Sequence, residues 1–214
     1  MDIDHIFIFT NDNGKIADEL VLFGLTEGSS RVHPGQGTTN RTFSFGNFFF
    51  EILWVHNEKE IRSNKVNYTG LWTRANYSIN NFSRFGLCII NNDESDNLFE
   101  KALKYQPEYL PQGMPFEFLS NEDNPDLPFI FRLPFEERGK KEIKPTTHIN
   151  GIKRLTGVRF TYINERSKNF LDMFKNESKI YFTKASNIGL TLIFDNYQRG
   201  LKKEFKQLDL TIEY

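Results

Sequence analysis

The sequence predicts an α+β fold assembled from β-α-β-β-β modules. Three observations carry this. Roughly the first 55 residues read strand, helix, strand, strand, strand. A unit of strand, polar turn and helix starts near Ile3, again near Phe85 and again near Leu155, a weak internal repeat with insertions between units. Gly46-Asn47 sits between two aromatic runs, which is hairpin chemistry. The 214 residues are enough for one large domain or two small ones, and are read here as a single domain spanning 1–214. Within it we expect a first module at 1–56, a linker or lid at 57–84, a second, degenerate module at 85–135 and a third βαββ-containing unit at 148–214.

The elements follow in order. Ile3 to Thr10 is rich in β-branched and aromatic residues and reads as a strand. Asn11-Asp12-Asn13-Gly14 is a turn and helix entry, and Ile16, Ala17, Leu20 and Phe23 recur at helical spacing until Gly24. Thr26 to Val32 should be a short strand. A polar, glycine-rich loop, His33 to Arg41, then leads into a strand at Thr42–Phe45, the Gly46-Asn47 turn and a strand from Phe48 to Val55. Asn57 to Arg84 should be loop with some helix, walling or covering the sheet. Phe85 to Ile90 is a strand; Asn92 to Ser95 caps a helix with Leu98, Phe99, Ala102 and Leu103 on one face. Pro107, Pro111 and Pro115 break regularity. Short strands are expected at Phe116–Leu119 and Phe129–Leu133, then a charged, solvated loop from Glu136 to Lys144. Leu155 to Ile163 is a strand, Asn164-Glu165-Arg166-Ser167 caps a third helix, and Lys179–Thr183 and Leu190–Phe194 form a strand pair. Leu208 to Tyr214 alternates and should close a sheet edge.

Composition narrows the function. The formal net charge is −1, so nothing steers the chain to nucleic acid or an anionic membrane surface. No apolar run reaches membrane-spanning length, and the start has neither the basic region nor the apolar core of a signal peptide. One cysteine, Cys88, leaves no intramolecular disulfide and no cysteine-rich zinc site, which fits a reducing, cytoplasmic compartment. The Phe- and Asn-heavy, Ala-poor composition points to a low-GC bacterium.

Glu51 is the residue to explain. It is the lone charge in a strand apolar on both faces, and such a carboxylate must be paired, hydrogen-bonded, protonated or metal-bound. His5 lies in the first strand. If both face the concave side of a curved sheet, imidazole and carboxylate converge in an apolar cup, which is ligand chemistry for zinc, manganese, iron or nickel. The plainer alternatives are a neutral His5 hydrogen-bonded to Glu51, or either residue near the rim in water. His33 opens the glycine-rich loop and is either a substrate contact, ligand or proton-transfer group, or a histidine that fixes the turn. Arg41 can hold a substrate carboxylate bidentately, with Asn40 beside it; its alternative is an internal partner for a carboxylate. His148 either reaches the site or is exposed, and His56 lies at a strand end in solvent. Cys88 reads as inert core. No nucleophile elbow, Walker loop or Rossmann fingerprint is present.

Asp4-His5-Ile6, the loop from His33 to Arg41, and Glu51-Ile52-Leu53-Trp54-Val55 resemble the glyoxalase-like domains of the vicinal-oxygen-chelate superfamily. The likeness covers Met1 to His56 well, Gly86 to Leu103 less closely, and His148 to Ile163 only in outline. It implies paired βαβββ modules whose mixed sheets curl around a common cavity. In metal-using members a first-strand His and a last-strand Glu of a module bind a divalent ion, and those positions match His5 and Glu51. The second module, which normally supplies the remaining ligands, offers Gly86 or Leu87 and the third unit Gly157, none able to ligate through a side chain, with Glu117, Glu136 or His148 as substitutes. The resemblance implies a lyase, isomerase or dioxygenase acting on a small oxygen-rich molecule, with Glu51 and His33 in catalysis and Arg41, Asn40 and His148 on the substrate. The alternatives are a metal-free small-molecule binding protein and a structural domain with a filled cavity. Modules that pair between chains instead of within one would make a homodimer.

Overall fold

The computed structural model describes residues 1–119, 121–135, 145–165 and 168–214. The expected charged loop from Glu136 to Lys144, and Arg166 and Ser167 of the third helix cap, lie outside them.

The first module is β1 (Ile3–Phe9), α1 (Ala17–Leu22), β2 (Arg31–His33), β3 (Thr38–Ser44) and β4 (Phe49–Val55). A connecting stretch carries α2 (Glu58–Ile61), α3 (Asn64–Asn67) and α4 (Leu71–Ala75). The second module repeats the order with β5 (Phe85–Ile89), α5 (Asp93–Phe99), β6 (Leu103–Tyr105), β7 (Phe116–Leu119) and β8 (Phe129–Arg132). Both modules lie in one eight-stranded sheet of order β2-β3-β4-β1-β5-β8-β7-β6. In each, the first strand runs parallel to the last, and the two modules join where β1 meets β5 antiparallel. The modules therefore pair within the chain. β1 and β5 are buried along their whole length because they hold the centre of a sheet covered on both faces.

The remaining strands, β9 (Leu155–Tyr162), β10 (Ile180–Lys184), β11 (Gly189–Phe194), β12 (Lys202–Phe205) and β13 (Leu210–Glu213), form a second sheet of order β10-β9-β11-β13-β12, with α6 (Lys168–Asp172) between β9 and β10. Here the repeat breaks. β9 lies directly beside β10, in parallel, whereas β1 and β5 neighbour the fourth strand of their module. β9 alternates buried and half-buried residues over most of its length, so this sheet has one face to bury and serves as a cover.

Side chains alternate across strands, so the eight-stranded sheet has two distinct faces. The convex face packs Ile6, Ile8, Phe50 and Ile52 against α1, α5 and the second sheet. Phe45 meets Phe194 at 4.7 Å across that interface, and Phe85 faces Phe160 at 6.2 Å. The concave face carries Phe7, Phe9, Leu53, Cys88, Phe129 and Phe131, covered by Ile61, Val66 and Leu71 of α2, α3 and α4.

Several boundaries differ from the sequence reading. β3 starts four residues before the expected Thr42, taking in the polar stretch Thr38–Arg41, because those side chains are satisfied across the sheet. Residues 26–30 are not a strand. Backbone and side-chain bonds, such as the Gly28 N–H to the Thr42 carbonyl, pin them along β3 instead of a ladder. α5 stops at Phe99, and Leu103 begins β6. β13 is internal, with β12 as the edge. The Asn92 cap forms as expected: Asn92 and Ser95 exchange side-chain to backbone bonds at 3.2 Å.

Candidate functional site

The concave face encloses a cavity of about 200 Å³. His5 and Phe7 of β1 and Phe49, Glu51 and Leu53 of β4 line one side. The β1–β4 register sets His5 opposite Phe49 and Phe7 opposite Glu51, so all four share a face. Phe116 of β7 and Phe129 and Phe131 of β8 line the other side. His5 and Glu51 thus come together in an aromatic cup, as their strands and spacing led us to expect.

The surroundings of each are specific. The β1–β5 pairing shifts by a residue between Ile3 and His5, and this irregularity turns Asp4, whose side chain would otherwise point to the convex face, toward its neighbour. His5 Nδ1 and Asp4 Oδ1 lie 2.5 Å apart. The His5 ring stacks on Phe49 at 4.5 Å and meets the edge of Phe131 at 5.2 Å. Glu51 accepts a hydrogen bond from Asn40 Nδ2 at 2.9 Å, and Asn40 Oδ1 accepts the Arg31 backbone N–H at 2.8 Å. Asn40 therefore orients Glu51 from behind.

The rim is a buried polar chain. The Tyr109 hydroxyl donates to Gln36 Oε1 at 2.7 Å, Gln36 Nε2 donates to Thr38 Oγ1 at 2.8 Å, and Thr38 Oγ1 lies 2.9 Å from His33 Nδ1. The turn that carries Gln36 is tight. Gly37 has φ +79°, and a Cβ there would stand 2.4 Å from the Asn57 carbonyl oxygen, so glycine alone lets the loop seat against α2. Burial, helped by the nearby Arg31 and His5, lowers the His33 pKa to about 4, so its ring is neutral at pH 7. Burial likewise pushes the Tyr109 phenol well up. Arg31 stands at the mouth with its guanidinium 4.9 Å from the centre of the Tyr109 ring.

Residues 3–85 match the family model described as glyoxalase-like domain. Over that stretch the chain is similar to a glyoxalase-like domain. Its fold is that of the vicinal-oxygen-chelate superfamily. No curated protein matches the sequence. A hypothetical protein from Staphylococcus aureus has a similar crystal structure, with 13% identity and a TM-score of 0.59 over 99% of this chain and 98% of that one. A hypothetical protein from Bacillus halodurans aligns over 66% of this chain and 98% of its own at 13% identity, with a TM-score of 0.40. At 13% identity the likeness to the Staphylococcus aureus protein concerns the fold alone.

Two residues expected at the substrate lie elsewhere. Arg41 alternates to the opposite face of β3, where it holds Glu27 at 2.6 and 2.7 Å and Asp18 at 2.8 Å. His148 is buried against Phe45 at 4.3 Å, in the core on the convex side, where its Nδ1 accepts the Thr26 N–H. Its pKa is lowered by burial. Glu117 is turned to Arg132 at 2.7 Å, and Glu136 is outside the described residues. Arg31 and Tyr109 were not singled out from the sequence, and Asp4, Gln36 and Thr38 stood only as members of the motifs that carry the resemblance, with no role of their own.

The metal set of the superfamily can be tested against these residues. The resemblance assigned two ligand positions to His5 and Glu51, and both line the cavity. The second module offers Gly86 and Cys88 on β5 and Phe129 and Phe131 on β8. At Gly86 the place of a side chain is filled: a Cβ would stand 2.0 Å from the Phe7 ring. Among the described residues, the one group of three ligand atoms within 4.8 Å of one another is Asp4, His5 and Cys88, without Glu51. Its Asp4–His5 separation of 2.5 Å is a hydrogen bond. Two ligands of a tetrahedral zinc stand about 3.3 Å apart. The described residues do not complete the metal set that the resemblance implies.

Proposed function

We propose that the protein binds a small organic molecule in the concave cavity without a metal ion. The observation that carries this is the second module. Where a metal-using relative places ligands, this chain places the bare backbone of Gly86 under the Phe7 ring, and Phe129 and Phe131 beside it. An apolar, aromatic cup with a few fixed polar groups is the usual form of a small-molecule site. Glu51, held by Asn40, supplies an acceptor on the floor. Neutral His33 and the Tyr109–Gln36–Thr38 chain supply polarity at the rim. The single cysteine, Cys88, is buried, and its solitary place in the sequence accords with a reducing compartment. Among the described residues no helix is long and apolar enough to cross a membrane.

The test is a fragment screen by thermal shift on chelator-treated protein, run beside Leu133→Trp, which places a larger ring at the half-buried cavity mouth. Fragments that raise the melting temperature of the wild type should lose that effect in the variant. Hits that persist in Leu133→Trp, or that arise only after metal is added, would contradict the proposal.

A further inference from the structure

We propose that the protein has a second binding site, for a neutral sugar, at the carboxyl ends of β1 and β4. It is separate from the concave cavity. A groove of about 350 Å³ opens there, and its lining includes Trp54, Trp72, Asn11, Asn13, Asn76 and Thr10. The chain has two tryptophans in all, and both stand half-buried in this groove. They arrive from different elements. β1 and β4 run parallel with Phe9 beside Leu53, which sets Thr10 next to Trp54. Trp72 comes from α4. Trp54 is seated on the turn after β1: a Cβ on Gly14 would stand 2.4 Å from the indole ring. That turn is itself fixed, since the Asp12 carboxylate accepts the Gly14 N–H at 3.0 Å and the Ile16 N–H at 2.7 Å. Asn76 Nδ2 donates to the Trp72 carbonyl at 2.8 Å, which holds its amide in place.

The Thr10 hydroxyl is what points to a ligand. Thr10 is 4% exposed, and its Oγ1 has no hydrogen-bond partner among the described residues. A buried hydroxyl left unpaired is costly, and a ligand hydroxyl would satisfy it. Turn chemistry accounts for Asn13, whose φ is +58°, but not for an orphan hydroxyl beside two indoles. A pyranose presents two kinds of surface. Its C–H faces pack on the electron-rich faces of aromatic rings, and its rim of hydroxyls both donates and accepts. The groove offers the counterpart of each: indoles, and amides with a hydroxyl that likewise donate and accept. Glu58, a carboxylate in the lining, is paired with Arg62 at 2.8 Å, and the Arg62 guanidinium stands 5.4 Å from the Trp72 ring centre. The pair cancels its own charge, so the sugar is a neutral one. The volume falls within the range of small-molecule sites, about 300–1,000 Å³.

Because both tryptophans lie in the groove, their indole N–H signals report on it directly. The full chain is isotopically labelled at the indole nitrogens and followed by magnetic resonance. Methyl glycosides of glucose, galactose, mannose and N-acetylglucosamine are titrated to about 20 mM, with glycerol and adenosine beside them. At least one glycoside should shift both indole signals and saturate. Glycerol, which has hydroxyls and no ring face, should shift neither. Trp72→Ala should weaken the glycoside at least about tenfold. Thr10→Val keeps the shape and removes the hydroxyl, and should weaken it about threefold or more. It should do so without lowering the melting temperature, since no bond within the fold is lost, and it serves if Trp72→Ala does not fold. If no glycoside moves either indole signal, the proposal is overturned. Glycoside binding unchanged by Thr10→Val also overturns it. Tightest binding by adenosine overturns it in favour of a nucleobase site.

Discussion

Asn40 and His33 show how single residues set the polarity of the cup. Asn40 sits one strand behind Glu51 and joins it to the Arg31 backbone, so the carboxylate is oriented before any ligand arrives. His33 is held neutral, and this has a stability consequence. The unfolded chain takes up a proton on this histidine below about pH 6.5, but the native state does so only near pH 4. Native stability therefore falls as pH drops through that window, by roughly 3 kcal/mol for a shift of this size. His33→Gln should remove that contribution. Urea unfolding at pH 7 and pH 4.5 should show the variant losing less stability on acidification than the wild type, and parallel losses would contradict the burial argument. From the sequence, His5 and Glu51 were correctly placed on one face, because alternation along two strands is enough to do so. Arg41 was not, since its orientation depended on where β3 begins. Asp4 was out of reach, because only the irregularity at the β1–β5 junction turns it toward His5.

At the level of strands, the cup is written in a pattern of period two. Phe7 and Phe9, Phe116 and Phe118, and Phe129 and Phe131 each set two rings on the concave face. These runs were legible as strands, and the Gly46-Asn47 hairpin was legible as a turn. Short strands such as β6 and β12 were not, since three or four residues carry too little periodicity. The close seat of Phe7 on Gly86 links two strands and gives a direct test. Gly86→Ala would thrust a methyl into the ring, and overpacking of this kind costs about 1–3 kcal/mol. Combining it with Phe7→Leu should recover part of the loss. Additive losses in a denaturant double-mutant cycle would show that the two do not share the space.

Across the whole molecule, the second sheet is a cover for the convex face, and its strand order differs from that of the two modules. The third strand-turn-helix unit looked like a further repeat because local pattern reports element order, while strand neighbours depend on which faces must be buried. If the cover is integral to the fold, damage to it must be felt in the modules. Phe194→Ala removes a fully buried ring that packs on Phe45 and Phe48, and such truncations cost about 3–5 kcal/mol. Both tryptophans, Trp54 and Trp72, lie in or beside the first module. Their fluorescence transition in urea should move to lower denaturant in the variant as a single step; an unchanged transition would mean that the sheets unfold independently.

The central claim is that the cup works without a metal, and metal content tests it most directly. Wild type and Glu51→Ala are soaked with zinc, manganese, nickel and anaerobic iron, freed of unbound ions by gel filtration, and measured by elemental analysis. The account predicts substoichiometric metal in both samples. A stoichiometric ion in the wild type, lost in the variant while circular dichroism shows the fold intact, would contradict it and establish Glu51 as a ligand.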